Sequence, residues 1–120
     1  MKTILTVDDS PSVRQMVSYT VRSAGYDVIE AKDGAEALEL AQGRSFDMVL
    51  TDQNMPRLDG FGLIGQLRND PRFSATPIIM LTTEASDEMK ARGKAVRATG
   101  WMVKPFDPDT LLAVIQRLIG

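Results

Sequence analysis

The stretch Phe46-Asp47-Met48-Val49-Leu50-Thr51-Asp52-Gln53-Asn54-Met55-Pro56 decides the fold. Met48 to Thr51 is short and mostly apolar, which reads as a buried strand. It runs directly into a carboxylate, Asp52, and then into a turn closed by Pro56 and Asp59-Gly60. Taken alone, an aspartate in this place is a turn former or a cap for the following helix. The ends of the other strands change that reading.

Working outward, apolar runs of strand length alternate with helical periodicity. Before the Asp52 strand lie a strand at Ile4–Val7, a helix opened by Ser10-Pro11 and stopped by Gly25, and a short, more polar strand at Val28-Ile29. A helix over Ala35–Gln42, closed by Gly43, leads into the central strand. After it the pattern predicts a glycine-bearing helix over Phe61–Asn69 and a strand at Ile78–Thr82. A polar helix capped by Ser86 or Asp87 follows, running to about Arg97. A brief strand at Trp101–Val103 and a last helix from Pro108 complete the chain. Five strands alternating with five helices, (βα)5, call for an α/β, doubly wound parallel sheet covered on both faces. The first, third and fourth strands are nearly all apolar, as central strands must be. The second and fifth suit the edges. Strand order 2-1-3-4-5, the flavodoxin-like arrangement, satisfies these conditions.

Composition narrows the function. One hundred and twenty residues with 43% hydrophobic and 25% charged content describe one globular domain, residues 1–120. A net charge of −2 gives no nucleic-acid signal. The absence of cysteine removes disulfides and thiolate metal sites, and the absence of histidine removes a histidine-based zinc site and a Ser-His-Asp triad. No segment has the length of a membrane span or the form of a signal peptide, so a cytoplasmic domain is expected. Neither a dinucleotide-binding nor a P-loop glycine pattern occurs.

In a doubly wound sheet, ligands bind beyond the carboxyl ends of the strands. The residues there are Asp8 and Asp9 after the first strand, Asp52 after the third, Thr82 at the end of the fourth and Lys104 after the fifth. Each has a structural explanation by itself: acidic charge at a helix start, a strand residue, a surface lysine. Gathered on one edge behind apolar strands, they read as a site. Three carboxylates in that space repel one another unless a cation lies among them or protons remain bound. An all-oxygen ligand set favours a hard divalent ion, and magnesium tolerates a partly hydrated site.

Asp8-Asp9, Asp52 with Met55-Pro56 and Asp59-Gly60 behind it, Thr82, and Lys104-Pro105-Phe106 resemble the response-regulator receiver family, in order and over the whole chain. The likeness is greatest to its single-domain chemotaxis members. The resemblance implies that Asp52 is the phosphate acceptor. It implies that Mg2+ is held by the side chains of Asp9 and Asp52, the backbone carbonyl of Asn54 and, largely through water, Asp8. Lys104 and the hydroxyl of Thr82 would meet the phosphoryl group, and Trp101 would turn inward as Thr82 moves. Asn54 and Glu84 would tune hydrolysis, toward a short-lived signal. A histidine kinase would be the phosphodonor, with small donors such as acetyl phosphate also competent. The output would be a partner protein, for which a flagellar switch protein is one candidate, bound on the face formed by the fourth helix, fifth strand and fifth helix. A monomer without an effector domain is expected.

Other outcomes stay open: a phosphate sink, a constitutive binding domain of the same fold, or a magnesium-dependent phosphatase. The phosphatase lacks its usual Asp-x-Asp signature after the first strand. Three departures stand out. Val96-Arg97-Ala98 replaces the family's usual Ala-Gly-Ala, so the fourth helix is expected to end differently or run on to Gly100. Gly62 and Gly65 should weaken the third helix. Lys90, Arg92, Lys94 and Arg97 form a basic run, either a solvated face or a docking patch for an acidic partner.

Overall fold

The computed structural model describes residues 2–84 and 86–120. The five strands are β1 (Thr3–Val7), β2 (Asp27–Ala31), β3 (Met48–Asp52), β4 (Ile78–Thr82) and β5 (Gly100–Val103). The five helices are α1 (Pro11–Ser23), α2 (Gly34–Gly43), α3 (Gly60–Arg68), α4 (Asp87–Ala95) and α5 (Pro108–Ile119), with one 3-10 turn at Pro71–Phe73. All strand pairs are parallel and the order is β2-β1-β3-β4-β5, with the two more polar strands at the edges as expected. Five residues of β3 and five of β4 are buried throughout.

Alternation along the strands divides the core in two. Leu5, Val7, Val49, Ile78 and Met80 face α2, α3 and α4, meeting Ala37, Leu63, Ile64 and Leu67. Ile4, Met48, Leu50, Ile79 and Leu81 face α1 and α5, meeting Val17, Val21, Leu111 and Ile115. The helix starts are capped as the sequence predicts: Ser10 Oγ accepts from the Val13 N–H, and Ser86 Oγ from the Met89 N–H. At the pole where the strands begin, Lys2 Nζ donates to the carbonyl of Ile119.

Two expectations need correction. The fourth helix does not run on to Gly100. It stops at Ala95, and Arg97 takes the left-handed conformation at φ 65°. The Arg97 N–H bonds the Lys94 carbonyl at 3.0 Å and the Ala98 N–H bonds the Gly93 carbonyl at 2.9 Å, which is the double closure that glycine usually makes. The strain is offset from outside. Buried Arg68 donates through Nε to the Arg97 carbonyl at 3.0 Å, and Arg97 donates back to the Arg68 carbonyl at 3.2 Å. The basic run is also not simply a solvated face. The Arg92 guanidinium lies 4.2 Å from the centre of the Phe61 ring and so ties α4 to α3. Lys90 and Lys94 remain exposed.

Gly62 and Gly65 do lie inside α3, but a more exacting glycine stands at its start. A Cβ on Gly60 would fall 2.5 Å from the Asp52 carbonyl oxygen and 2.6 Å from the Met80 sulfur. The loop after Asp52 therefore folds back tightly against the strand that carries it, and the Gly60 N–H bonds the Gln53 carbonyl at 2.9 Å.

Candidate functional site

The pocket is assembled at the carboxyl edge of the sheet, from the ends of β1, β3 and β5. Asp8 follows β1 and is buried; its Oδ1 accepts the Ser10 N–H at 2.9 Å. Asp52 ends β3 and is also buried. Asp9 is exposed beside them. One carboxylate oxygen from each of the three lies within 4.8 Å of the others. Lys104 reaches in from beyond β5 and donates to Asp8 Oδ2 and to Asp52 Oδ1, both at 3.1 Å. Its backbone N–H is held by the Thr82 carbonyl at 2.7 Å, and the Lys104–Pro105 peptide is cis.

The electrostatics follow from crowding. Burial raises the Asp52 carboxyl above the usual carboxylate range and the charge on Asp8 adds to this, while Lys104 opposes without cancelling. On Lys104 burial works against the charge. The hydrogen bond to Asp52 and the charges of Asp8 and Asp52 outweigh it, so its ammonium is held above the ordinary value. One ammonium thus contacts two of the three clustered carboxylates. The donor set suits a hard divalent cation: all oxygen, converging, open on the Asp9 side and negative in excess of Lys104.

The other sequence-predicted residues are on or just after the third, fourth and fifth strands. Thr82 is buried at the end of β4, with Oγ1 accepting the Glu84 N–H at 3.1 Å. Asn54 and Glu84 are exposed in the loops after β3 and β4. Trp101 stands apart, half-buried on β5, level with Met80 in the register and packed against Gly93 of α4. A shallow groove beside it is lined by Lys90, Gly93, Lys94 and Ala98.

Sequence reasoning missed a clamp on the loop that follows Asp52. Arg57, in the left-handed conformation at φ 69°, grips Asp33 through Nε at 2.9 Å and Nη2 at 3.0 Å. Asp33 meanwhile caps α2 by accepting the Glu36 N–H at 2.8 Å. That backbone bond, opposed by burial and reinforced by Arg57, holds its carboxyl below the ordinary value. The clamp joins residues 24 apart, so no local pattern announces it. The one available signal was an aspartate at a helix start with capacity for a second partner.

A doubly wound sheet with an acid pocket at its carboxyl edge, and no glycine-rich phosphate loop, defines the class: a flavodoxin-like domain whose site is made of carboxylates. Residues 4–116 match the response regulator receiver domain, and the chain belongs to that family. It is 37% identical to the chemotaxis protein CheY1 of Helicobacter pylori over 98% of this chain and 96% of that one. It is 40% identical to a gliding motility regulatory protein of Myxococcus xanthus over 96% of this chain, but spans only 15% of that protein's length. The solved chemotaxis protein CheY4 of Vibrio cholerae superposes with a TM-score of 0.95 at 53% identity, covering 98% of both chains. Two similar receivers were solved with metal. A sensor histidine kinase receiver from Pseudomonas aeruginosa has magnesium coordinated in its active-site cleft (TM-score 0.91, 30% identity, 99% of this chain, 98% of that). TrrA of Thermotoga maritima was solved with Mg2+-BeF (TM-score 0.88, 30% identity, 98% and 99%). Membership makes the chain a two-component signalling domain of the CheY-like kind. Among the described residues no helix is long and apolar enough to cross a membrane.

Proposed function

We propose that Asp52 accepts a phosphoryl group from a phosphohistidine on a partner kinase, and that the resulting change on α4, β5 and α5 alters binding of a second protein in a chemotaxis-type pathway. The observation that carries this reading is Lys104 spanning Asp8 and Asp52 at 3.1 Å each, with Asp9 alongside. Asp9 and Asp52 would hold Mg2+ directly, with the Asn54 carbonyl, and Asp8 through water. When bound, the ion neutralises charge on the transferring group and on the acids around it.

The chain's own residues do the rest. A carboxylate oxygen of Asp52 attacks phosphorus, a P–O bond forms as the P–N bond of the donor breaks, and the departing imidazole nitrogen keeps the electron pair and is protonated from solvent. Lys104, 3.1 Å from Asp52, would stabilise the charge that develops on the phosphoryl oxygens. Thr82 Oγ1 has a hydrogen to give, because the bond it makes to Glu84 uses it as acceptor. Turning that hydroxyl toward the phosphoryl group breaks the Glu84 bond and loosens the start of α4, against whose Gly93 Trp101 packs. Phosphorylation then shifts a two-state equilibrium of α4 and Trp101. Asn54 and Glu84, exposed on either side, would govern entry of the hydrolytic water.

The test is to add Mg2+ and then acetyl phosphate or beryllofluoride while following Trp101 fluorescence. A saturable change is expected in the wild type and none in Asp52→Ala. A silent wild type that gains no phosphate by mass spectrometry would put the constitutive binding domain ahead. Turnover of a generic phosphomonoester would put the phosphatase ahead.

A further inference from the structure

Asp8 and Asp9 sit in a loop of three residues between β1 and α1, and that loop is gripped by a side chain from outside the pocket. Arg14 of α1 donates from Nη1 to the Asp8 carbonyl at 2.7 Å and from Nε to Glu30 Oε1 at 3.1 Å. Its side chain is mostly buried, at 19% exposure, so the guanidinium is not free to wander. Glu30 belongs to β2, and its second oxygen lies 3.8 Å from Arg22.

The carbonyl that Arg14 holds belongs to the peptide joining Asp8 to Asp9. Because a peptide is planar, fixing its oxygen fixes the plane and the position of the next Cα. The Asp8 N–H is tied at the same time to the Ala31 carbonyl at 3.1 Å. Asp9 itself is exposed, and among the described residues no side-chain hydrogen bond orients it. Its direction is therefore inherited from the backbone on both sides: the Asp8–Asp9 peptide, and the Asp9–Ser10 peptide, whose Ser10 N–H is held by Asp8 Oδ1 at 2.9 Å.

We propose that Arg14 is a positioning residue for the cation site: by holding the Asp8–Asp9 peptide plane it aims the Asp9 carboxylate into the pocket, and Glu30 holds Arg14 in place. The inference rests on reading the pocket as a magnesium site. Charge and geometry make opposite forecasts here. If Arg14 acted only as a nearby positive charge, removing it would tighten cation binding. If it acts by positioning, removal loosens binding, as losing a partner behind a metal ligand typically does, by about tenfold or more.

The experiment measures Mg2+ affinity by calorimetry in Arg14→Met, Arg14→Lys and Glu30→Gln, alongside backbone amide spectra of the metal-free proteins. Arg14→Met should bind Mg2+ about tenfold more weakly, Glu30→Gln should weaken it less, and Arg14→Lys should recover part of the loss. The amides of Asp9 and Ser10 should move or broaden in Arg14→Met while those of β4 stay in place. Unchanged or tighter Mg2+ binding with unmoved Asp9 and Ser10 amides overturns the proposal. A wild type that binds no Mg2+ removes the magnesium reading of the pocket; the amide spectra then decide on Arg14 alone, unmoved signals overturning it and moved ones supporting it. If Arg14→Met does not fold, Arg14→Lys and Glu30→Gln make the same comparison.

Discussion

Lys104 supplies a single ammonium to two buried carboxylates, and its removal leaves both without a counter-charge. Lys104→Ala should therefore lower stability in magnesium-free buffer by about 1–3 kcal/mol, and added Mg2+ should restore part of it; thermal melts with and without the ion check this. Asp33 makes a pH prediction. Its folded carboxyl is held below the ordinary value, first by the Glu36 N–H and further by Arg57. The stability it contributes is full above the unfolded carboxylate pKa and is lost as pH falls through the lower folded one. The gap in stability between wild type and Asp33→Asn should stay level near neutrality and narrow below about pH 4. At this scale the pocket acids and Lys104 were legible because each stands directly beyond an apolar strand. Arg14, Arg57 and Arg68 were not, since an arginine's partners are set by the tertiary fold: Arg68 reaches Arg97 and Thr99 across 29 and 31 residues.

Among elements, α3 shows why composition alone misjudges a helix. Its glycines look uniformly costly, yet they differ in what surrounds them. A methyl at Gly65 would meet only Val96 at 3.8 Å, an ordinary contact, so Gly65→Ala should stabilise by about 0.5–1 kcal/mol. The same change at Gly60 would drive a methyl into the Asp52 carbonyl and the Met80 sulfur. Gly60→Ala should destabilise by about 1–3 kcal/mol and, by shifting the strand end, weaken magnesium binding. Denaturant unfolding of the two variants, with opposite signs expected, checks both. The end of α4 was misread for a related reason. A left-handed arginine is costly in isolation, but Arg68 secures its carbonyl from a neighbouring helix, and no local sequence rule contains that contact. The division into central and edge strands, by contrast, was legible, because burial on two faces leaves so clear a mark on β1, β3 and β4; their order came from the family resemblance.

Across the whole molecule, stability is distributed unevenly. Every residue of β3 and β4 is buried, whereas Gly93 is the one buried residue of α4. Native-state hydrogen exchange should find α4 amides opening well before those of β3 and β4, and protection of α4 equal to that of the central strands would contradict the lightly attached helix described above. The contact between Lys2 and the Ile119 carbonyl has a practical meaning as well. It links the start of β1 to the end of α5 at the base of the sheet, a full strand length below the acids. A label or surface linkage attached beside residue 2 or residue 119 would leave from the pole opposite the acids, so the molecule can be anchored with its reactive mouth facing the solution.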